Sequence, residues 1–486
     1  MKQISKEQVL QRIAAENPWW SAPHAIAAPF AEWTPRPYLE LLYPLIQDRK
    51  TRRAIVLMGP RRVGKTVIAH HAIRALLQDG VDPRCICYLS VDHPVYTGLG
   101  LQELLDHYAE ATGVDYKSTP CFVFFDEIQY LRDWEVHLKA LVDNFWQVKC
   151  TASGSAAAAL KLKSTESGAG RFTDFLLPPL TFYEYLTLLG KTDLVAIGQD
   201  QRAQTFSATD IDELNDHFIR YINYGGYPEV VLNPTMQADP ARFIKNDIID
   251  KVLLRDLPSL YGISDLQELN YLFTTLAFNT ANEVSLEDLS QRSGVVKNTL
   301  KRYIEYLEAA FLIRIVHRVD RNAKRFKRAH CFKVYLTNPS IRTALFQPLT
   351  SEDDAIGSSV ETAIFAQWFH SDSLLHYARW DKGEVDIVKL KQNQKVSWVV
   401  EAKWSDRYFD RPDELKSLIA FCHTKNLTRA RVTTRTLSGI KEIESITLDF
   451  TPASLYCYIL GYNIIRHKKM AITLPELNGS AQQPKE

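Results

Sequence analysis

The chain has 486 residues, of which 46% are hydrophobic and 24% are charged, and its formal net charge at pH 7 is +1. This composition is typical of a globular protein with several domains of about 100–200 residues each. A net charge near zero argues against binding polyanions over the whole surface, although it allows a local basic patch. The seven cysteines show no CxxC spacing, so neither a disulfide framework nor a zinc site is expected.

The first 20 residues contain no apolar core of the kind found in signal peptides. The longest apolar runs, such as residues 121–125, are far too short to span a bilayer. We therefore expect a cytoplasmic protein without a membrane segment.

Strand and helix signals alternate between about residues 53 and 159. An apolar-periodic segment at 67–77 predicts a helix, and short apolar runs predict strands at 54–58, 85–91, 121–125 and 148–152. Strands that alternate with helices pair in parallel, so this region predicts an α/β sheet.

The rest of the chain is more mixed. Helical patterns run to about residue 283, and residues 285–336 predict helix, turn, helix and two basic strands. Beyond residue 351 the pattern predicts helix, strand, strand and helix. We expect linkers near 190–208 and 338–354, where loop-forming residues cluster, and a frayed tail after about residue 474.

Residues 59–66 read GPRRVGKT, the pattern of a phosphate-binding loop. Glycines let such a loop curl and point several N–H groups at one anion. Lys65 would reach the β- and γ-phosphates of ATP, and the Thr66 hydroxyl would bind Mg²⁺. A helix that begins near Gly64 adds its positive end. The residues expected to contact the nucleotide here are Gly59, Pro60, Arg61, Arg62, Val63, Gly64, Lys65 and Thr66. The alternative is a glycine-rich turn that binds nothing.

The stretch CFVFFDEIQ, residues 121–129, places two acids at the end of a buried strand. Asp126 can hold Mg²⁺ through water, and Glu127 can orient the attacking water. Two surface acids after a core strand are the alternative, which the nearby phosphate-binding loop disfavours. The two motifs together predict an ATPase.

Four residues near the end of the chain suggest a second site. In WVVEAKW, residues 398–404, Glu401 and Lys403 point to one face of a strand because side chains alternate. Asp386 lies in the preceding strand and Glu361 on an earlier helix. Carboxylates around one point bind a hard cation such as Mg²⁺, and a lysine beside them can position water. Glu384 is expected to point elsewhere.

Residues 283–316 predict a helix-turn-helix followed by a basic hairpin. Clustered Arg and Lys gain affinity for phosphate backbones by counterion release, so this region predicts nucleic-acid binding, with DNA preferred over RNA. The expected contacts are Lys297, Lys301, Arg302, Arg321, Lys324, Arg325, Lys327 and Arg328. The alternative is a solvated hairpin in a winged helix that acts only as a spacer.

The segments GPRRVGKT, FFDEIQ, TASGS, GRFTDFLLPPLTFYEYL and GGYPEVV follow one another in the order seen in a large class of prokaryotic AAA-type ATPases. This resemblance covers about residues 38–435. It implies that Ser153 senses the γ-phosphate, with Ser155 as the alternative, because the class usually has Thr-Gly-Ser at this point. It also implies that Arg171 is a candidate arginine finger acting in trans, which would require a homo-oligomer.

The last domain is similar to the PD-(D/E)xK nuclease fold, with Val385-Asp386 in place of the usual Pro-Asp. The resemblance implies that Glu361, Asp386 and Glu401 are metal ligands and that Lys403 helps to activate water for phosphodiester hydrolysis. The metal would be Mg²⁺, with Mn²⁺ as a substitute.

The sequence therefore predicts an α/β protein. Its expected parts are an N-terminal extension (1–37), an AAA-type ATPase core (38–181), a helical lid (182–283), a winged helix (284–348), a restriction-endonuclease-like α/β domain (349–474) and a tail (475–486). The expected function is nucleotide-regulated, metal-dependent cleavage of nucleic acid. Two alternatives stay open. One is an ATP-driven switch whose C-terminal domain binds nucleic acid or a protein without cutting, and the other is a remodeller of protein substrates.

Overall fold

A computed structural model of the chain describes residues 4–23, 25–26, 28–154, 170–200, 203–319, 331–371, 373–380 and 383–473. The chain forms two compact units, one made of Met1–Pro178 and Ile465–Glu486 and the other of Pro179–Ile464. Among the helices in the described ranges, none combines the length and apolar character that crossing a bilayer requires.

The first unit is built on a parallel sheet. Within the described residues it has five strands: β1 (Ala54–Met58), β2 (Ile86–Ser90), β3 (Cys121–Asp126), β4 (Val148–Gly154) and β5 (Phe172–Leu176). Their order is β2-β3-β4-β1-β5, and all neighbours are parallel. The α/β prediction is therefore confirmed here. The sequence did not reveal β5, since only Phe172 and Phe175 of its five residues are buried.

The helices of the first unit follow the alternation expected of a parallel α/β sheet. They are Lys6–Glu16, Ala28–Glu32, Leu39–Gln47, Lys65–Gln78, Leu101–Thr112 and Trp134–Asn144. Short 3₁₀ turns lie at Pro18–Trp20, Pro83–Cys85, Pro94–Tyr96 and Ile128–Tyr130.

The N-terminal segment covers the edge strand β2. Asn17 donates from Nδ2 to the carbonyl of Tyr88 at 2.8 Å and accepts from the Tyr88 N–H at 2.6 Å. The indole N–H groups of Trp19 and Trp20 both donate to the carbonyl of Ile86, at 3.0 and 2.8 Å. Free strand edges invite pairing with other chains, so these contacts protect the sheet.

The second unit contains a short hairpin and a large mixed sheet. The hairpin is β6 (Val195–Asp200) with β7 (Ala203–Ala208). In the described residues the large sheet has nine strands, in the order β15-β16-β14-β13-β12-β11-β9-β10-β8. These are β8 (Glu283–Ser285), β9 (Ile313–Val319), β10 (Cys331–Leu336), β11 (Leu375–Trp380), β12 (Gly383–Leu390), β13 (Val396–Glu401), β14 (Arg429–Thr434), β15 (Gly439–Ile443) and β16 (Ile446–Pro452).

The helices of this part of the chain precede the large sheet, lie between its strands or follow its last strand. They are Phe182–Leu188, Ile211–Tyr224, Pro228–Leu232, Pro234–Ala238, Leu257–Tyr261, Leu266–Phe278, Leu286–Ser293, Lys297–Ala309, Ser340–Leu345, Ile356–Trp368, Arg407–Asp410, Lys416–Lys425 and Ala453–Thr473. π-Helical turns lie at Ala241–Asp250 and Val252–Asp256, and 3₁₀ turns at Thr192–Leu194 and Pro412–Glu414.

The segment 283–336 has the predicted order of helix, turn, helix and strands, and the buried side chains of Leu300, Tyr303, Ile304 and Leu307 form the expected core stripe. The strands of this segment do not form a sheet of their own. Because β9 pairs in parallel with β11, the predicted winged-helix strands and the predicted nuclease-like strands belong to one sheet.

Both predicted linkers are wrong. Residues 190–208 contain the β6–β7 hairpin, whose Gln, Ser and Thr residues lie in strands instead of a loop. Residues 338–354 contain the helix Ser340–Leu345 and are held by a buried side chain. The amide of Asn223 donates to the carbonyl of Leu349 at 2.8 Å, and its oxygen accepts from the Leu349 N–H at 2.8 Å and the Thr343 hydroxyl at 2.9 Å.

The helix Ile356–Trp368 is fixed by a buried amide. Gln367 accepts from the Phe182 N–H at 2.9 Å, and its Nε2 donates to the Tyr221 hydroxyl at 2.9 Å and the Ala363 carbonyl at 3.0 Å. We predict that Gln367→Leu, which keeps the volume but leaves the Phe182 N–H unpaired, lowers the free energy of unfolding by about 1–3 kcal/mol.

Denaturant titration of the full chain would measure this loss. The matched control is Gln392→Leu, the same substitution at an exposed position, and it should change the free energy by less than about 0.5 kcal/mol. Equal effects of the two substitutions would contradict the role given to Gln367.

Candidate functional site

The loop at residues 59–64 joins β1 to the helix Lys65–Gln78, as the motif predicts. Gly64 has φ +92°, a left-handed conformation that glycine adopts without strain. Gly59 is needed for a different reason. A Cβ atom at this position would lie 2.2 Å from the carbonyl oxygen of Leu177, so only glycine fits. The structure therefore explains why glycine is needed at both positions of the motif.

The side chain of Lys65 is buried and lies against its own loop. Its Nζ donates to the carbonyls of Gly59 at 3.0 Å and Pro60 at 2.8 Å. A residue that the sequence did not indicate supports the loop from outside. The buried Arg36 donates from Nη1 to the carbonyls of Val63 at 2.8 Å and Pro178 at 3.1 Å.

The predicted acidic residue lies beside the loop. The Asp126 carboxylate is buried and accepts from the Thr66 hydroxyl at 2.6 Å and also from the Ser153 hydroxyl. The Glu127 N–H donates to Ser153 Oγ at 3.2 Å. Thr66, Asp126 and Ser153 therefore lie together, although they come from three separate segments. Ser155, the alternative to Ser153, lies outside the described residues.

Sequence reasoning missed Tyr88 on β2. Its hydroxyl donates to Asp126 at 2.7 Å, and burial together with the Asp126 charge raises the pKa of Tyr88. His70, one helical turn after Thr66, contacts the Thr66 carbonyl through Nδ1 at 2.9 Å. Burial lowers the pKa of His70, which favours the neutral imidazole. Both side chains restrict how Thr66 and Asp126 are oriented.

Arg171 lies at the other end of the strands. Its carbonyl accepts from the Ala54 N–H at 2.9 Å, at the start of β1, whereas the phosphate-binding loop follows the end of β1. Its Nε donates to Asp143 at 2.7 Å, and its side chain is 45% exposed. Arg171 therefore lies at the end of β1 opposite to the phosphate-binding loop of its own chain.

A second group of charged side chains lies on strands β12 and β13 of the large sheet and on the helix Ile356–Trp368. We call Glu361, Glu384, Asp386 and Glu401 the carboxylate cluster. Asp386 and Glu401 are opposite one another, because β12 and β13 pair antiparallel with Ile387 beside Val400. The Ala402 N–H donates to Asp386 at 2.9 Å.

Lys403 lies where the sequence predicts it. Its Nζ is 2.9 Å from Glu401 Oε1 and 3.5 Å from Asp386 Oδ2. Its backbone N–H donates to Thr433 Oγ1 at 2.7 Å, and the Thr433 hydroxyl donates to the Lys403 carbonyl at 2.8 Å. The neighbouring strand β14 therefore fixes the backbone that carries Lys403.

The sequence did not reveal Lys333, on β10, which reaches the other side of the carboxylate cluster. Its Nζ lies 2.9 Å from Glu361, 2.5 Å from Glu384 and 3.8 Å from Asp386. The Tyr335 hydroxyl donates to Glu361 at 2.6 Å. The expectation that Glu384 points elsewhere is wrong, since residues two apart on a strand share a face and Glu384 is two residues from Asp386.

Burial shapes the electrostatics of the carboxylate cluster. It raises the pKa of Glu361 and the pKa of Glu401 to about 7 each. Burial alone would lower the pKa of Lys333 and of Lys403, but the carboxylates around them raise both. Each ammonium is thus strongly held in its charged form.

Within the described ranges, no three or more His, Cys, Asp or Glu side chains come close enough together to hold a metal ion. Two carboxylates are nevertheless suited to one. Glu401 Oε2 is buried and has no hydrogen-bond partner among the described residues, and Asp386 faces it across the strand ladder. Mg²⁺ in proteins is commonly held by one or two carboxylates together with phosphate and water oxygens.

The predicted nucleic-acid contacts are only partly described. Lys297 pairs with Glu287, and Lys301 lies 3.9 Å from Glu305. Arg302 donates to the Tyr306 hydroxyl at 3.2 Å. The other five predicted contacts, Arg321, Lys324, Arg325, Lys327 and Arg328, lie outside the described residues.

Comparison with known proteins agrees with the first site. Residues 51–186 match the family model of the AAA domain, and residues 215–353 match a domain of unknown function, DUF8612. Residues 51–186 form an AAA-type P-loop ATPase domain. The loop, Asp126 and Ser153 all lie inside this AAA domain. The four acids of the carboxylate cluster lie outside both matched segments, whereas Lys333 lies inside the second.

Several proteins are similar along much of the chain. An uncharacterized protein of Haemophilus influenzae is 23% identical over 363 residues, which cover 73% of this chain and 83% of that protein. An uncharacterized protein of Methanocaldococcus jannaschii is 23% identical over 332 residues, which cover 65% of this chain and 68% of that protein.

Among solved structures, the Saccharomyces cerevisiae Hsp104–ADP complex aligns with a TM-score of 0.28 at 15% identity and covers 56% of this chain. This chain spans 37% of that one. The replication initiator DnaA, bound to AMPPCP and single-stranded DNA, aligns with a TM-score of 0.27 at 13% identity over 56% of this chain and 86% of that one.

The close approach of Gly59 to Leu177 generates a prediction. We expect Gly59→Ala to displace the phosphate-binding loop and to weaken ATP binding by more than about tenfold, or ~1.4 kcal/mol. Titration with a fluorescent ATP analogue would measure the change. Gly357→Ala is the matched control, because a Cβ at that position meets nothing within 4 Å. An unchanged Kd in Gly59→Ala would contradict the steric argument.

Proposed function

We propose that this protein hydrolyses ATP and uses a divalent metal ion in its second unit to cut nucleic acid. One observation carries the second half of this proposal. Asp386 and Glu401 face each other across a strand ladder, a buried oxygen of Glu401 lacks a hydrogen-bond partner among the described residues, and the ammonium of Lys403 lies beside both acids. This set of groups has the chemistry needed for metal-assisted hydrolysis of a phosphodiester.

In the AAA domain, each residue of the site would have a separate role in ATP binding or hydrolysis. Lys65 would exchange its loop carbonyls for oxygens of the β- and γ-phosphates, and Glu127 would orient the attacking water. The oxygens of Thr66 and Asp126 are hard ligands 2.6 Å apart, which fits Mg²⁺. When bound, Mg²⁺ would neutralise charge on the phosphates. Ser153, hydrogen-bonded to Asp126, would respond to loss of the γ-phosphate.

The position of Arg171 favours a protein that works as an assembly of several copies. This residue lies near the start of β1, far from the loop of its own chain, and its side chain is partly exposed. We propose that it acts as a finger on the nucleotide of a neighbouring copy, where it would stabilise charge on the transferred phosphate. The protein would then work as a homo-oligomer with shared ATP sites.

In the second unit, the carboxylate cluster would act on nucleic acid. Asp386 and Glu401 would hold the metal ion, with Glu361 beside them, and the ion would polarise the scissile phosphate. Lys403, 2.9 Å from Glu401, would orient a water molecule toward phosphorus. Hydrolysis adds this water across one P–O bond, so its oxygen joins phosphorus and the opposite P–O bond breaks. The substrate would be DNA in preference to RNA.

A second function is favoured by a specific observation. Within the described part of the chain no three metal-binding side chains converge, and the lysines already pair with the acids. Such a cluster could stabilise a domain that binds its partner without cutting it. The protein would then be an ATP-driven switch that binds nucleic acid or a protein partner without cutting.

The decisive prediction concerns Lys403. We expect purified protein to cut DNA in the presence of Mg²⁺ or Mn²⁺, and Lys403→Ala to lower the cutting rate by about 10²–10³-fold, the usual effect of removing one preorganised donor from an active site. ATPase activity should persist, because Lys403 lies outside the AAA domain. The assay should compare linear, circular and single-stranded DNA and RNA, with and without ATP.

Lys416→Ala is the matched control for this assay. Lys416 ends a second Glu-x-Lys triplet, Glu414-Leu415-Lys416, but lies exposed at the start of a helix. This variant should cut normally. Absence of cutting on every substrate, with ATPase activity intact, would favour the switch. Lys65→Ala would show whether ATP controls cutting.

The basic residues between β9 and β10 generate a further prediction. Replacing Arg325, Lys327 and Arg328 with alanine should weaken DNA binding and make log K less steep against log salt, by up to about 0.9 for each lost phosphate contact. Fluorescence anisotropy at several salt concentrations would measure both. The control removes the same charge from Lys389, Lys391 and Lys395, near the β12–β13 turn. Unchanged binding in the first variant would favour a protein substrate.

A further inference from the structure

Burying the charged side chain of Lys333 costs free energy. Its side chain is only 3% exposed, and a buried ammonium is stable only when anions or acceptors surround it. Three carboxylates do so, those of Glu361, Glu384 and Asp386. Lys333 comes from β10, which precedes the helix that carries Glu361, and so stands outside the run of sequence that supplies the acids and Lys403.

The charges of the carboxylate cluster nearly balance. Its four carboxylates and the two ammonium groups of Lys333 and Lys403 leave a formal charge of −2 when all are ionised. Arg379 also approaches Glu384, at 3.4 Å, and Glu283 lies 3.9 Å from Arg379 and 3.7 Å from Arg318. One divalent cation is enough to match the formal charge of the four carboxylates and two ammonium groups, and two would exceed it.

The two sides of the cluster are satisfied unequally. On one side, Glu361 Oε1 accepts from both Lys333 and Tyr335, and Glu384 contacts Lys333 and Arg379. On the other side, Lys403 lies 2.9 Å from Oε1 of Glu401 and 3.5 Å from Asp386, and the buried Oε2 of Glu401 has no partner among the described residues. Within the carboxylate cluster, the fully buried oxygen that has no partner among the described residues is therefore on the side of Glu401.

We propose that Lys333 is a built-in cation that holds Glu361 and Glu384 where a second metal ion would otherwise lie, so that the carboxylate cluster binds a single divalent cation at Asp386 and Glu401. This inference rests on the metal site proposed above. Lys333 acts as a positioning residue, because it fixes the acids and leaves one side of Asp386 to the metal.

Metal counting tests the proposal without any cleavage assay. The parent protein would carry Lys65→Ala and be kept free of nucleotide, so that the ATP site adds no metal. Mn²⁺ would be the probe, and calorimetric titration with electron paramagnetic resonance would give the number bound per chain. We expect the parent to bind one Mn²⁺, with Glu401→Gln abolishing binding and Glu361→Gln retaining it.

Lys333→Met is the direct variant. It leaves the carboxylates of Glu361, Glu384 and Asp386 without their ammonium, so we expect it to bind two Mn²⁺ ions and to melt at a lower temperature in chelator, with Mn²⁺ restoring the loss. Adding Glu384→Gln to Lys333→Met should reduce the count to one again. A lysine that serves only as a structural ion pair would lower the melting temperature without changing the Mn²⁺ count.

The outcomes separate this inference from the proposed function. A parent that binds no Mn²⁺ or two, or that loses binding in Glu361→Gln as in Glu401→Gln, overturns the inference, and these counts stand even if Lys333→Met fails to fold. One Mn²⁺ in a protein that cuts nothing upholds the inference and overturns the nuclease. Two Mn²⁺ in a protein that cuts upholds the nuclease and overturns the inference.

Discussion

A buried carboxylate has to be matched by donors or cations, because its charge is otherwise too costly to remove from water. The two units meet this requirement differently. In the AAA domain, neutral hydroxyls from Thr66, Tyr88 and Ser153 surround Asp126. In the second unit, Lys333 and Lys403 surround the acids. A hydroxyl group can rotate and present its oxygen to an arriving cation. An ammonium group instead competes with the cation for the carboxylate oxygens. Nucleotide-dependent change therefore suits the first site, and a fixed arrangement suits the second.

Strand register explains why distant residues meet. In the parallel sheet, Met58 pairs with Gly154 and Phe125 with Ala152, so the ends of β1, β3 and β4 carry the loop, Asp126 and Ser153 to one edge. The second unit uses an antiparallel ladder, in which Ile387 beside Val400 places Asp386 opposite Glu401. Local sequence fixes which side chains are available, but pairing between strands decides which of them share a site.

The same distinction decides what could be predicted. The loop at 59–66, β1, β3 and Lys403 were found because their signals are local: glycine spacing, continuous apolar runs and alternation. Lys333, Tyr88 and Arg36 carry no local signal, since their role depends on partners far along the chain. The prediction for Glu384 was wrong because side chains two residues apart on a strand point to the same face, so Glu384 lies on the face of Asp386. The β6–β7 hairpin was missed because Gln, Ser and Thr residues are also typical of loops.

The position of Lys333 also connects two proposed activities. The basic residues proposed to contact nucleic acid lie between β9 and β10 in the sequence, and Lys333 is the third residue of β10. The same strand pairs with β9, which pairs with β11 of the segment predicted to be nuclease-like. The proposed nucleic-acid contacts and the lysine that lies between Glu361 and Asp386 are therefore only a few residues apart in the sequence. Because Lys333 lies outside the Glu-x-Lys motif, it adds to the carboxylate cluster a cation that the motif alone does not supply.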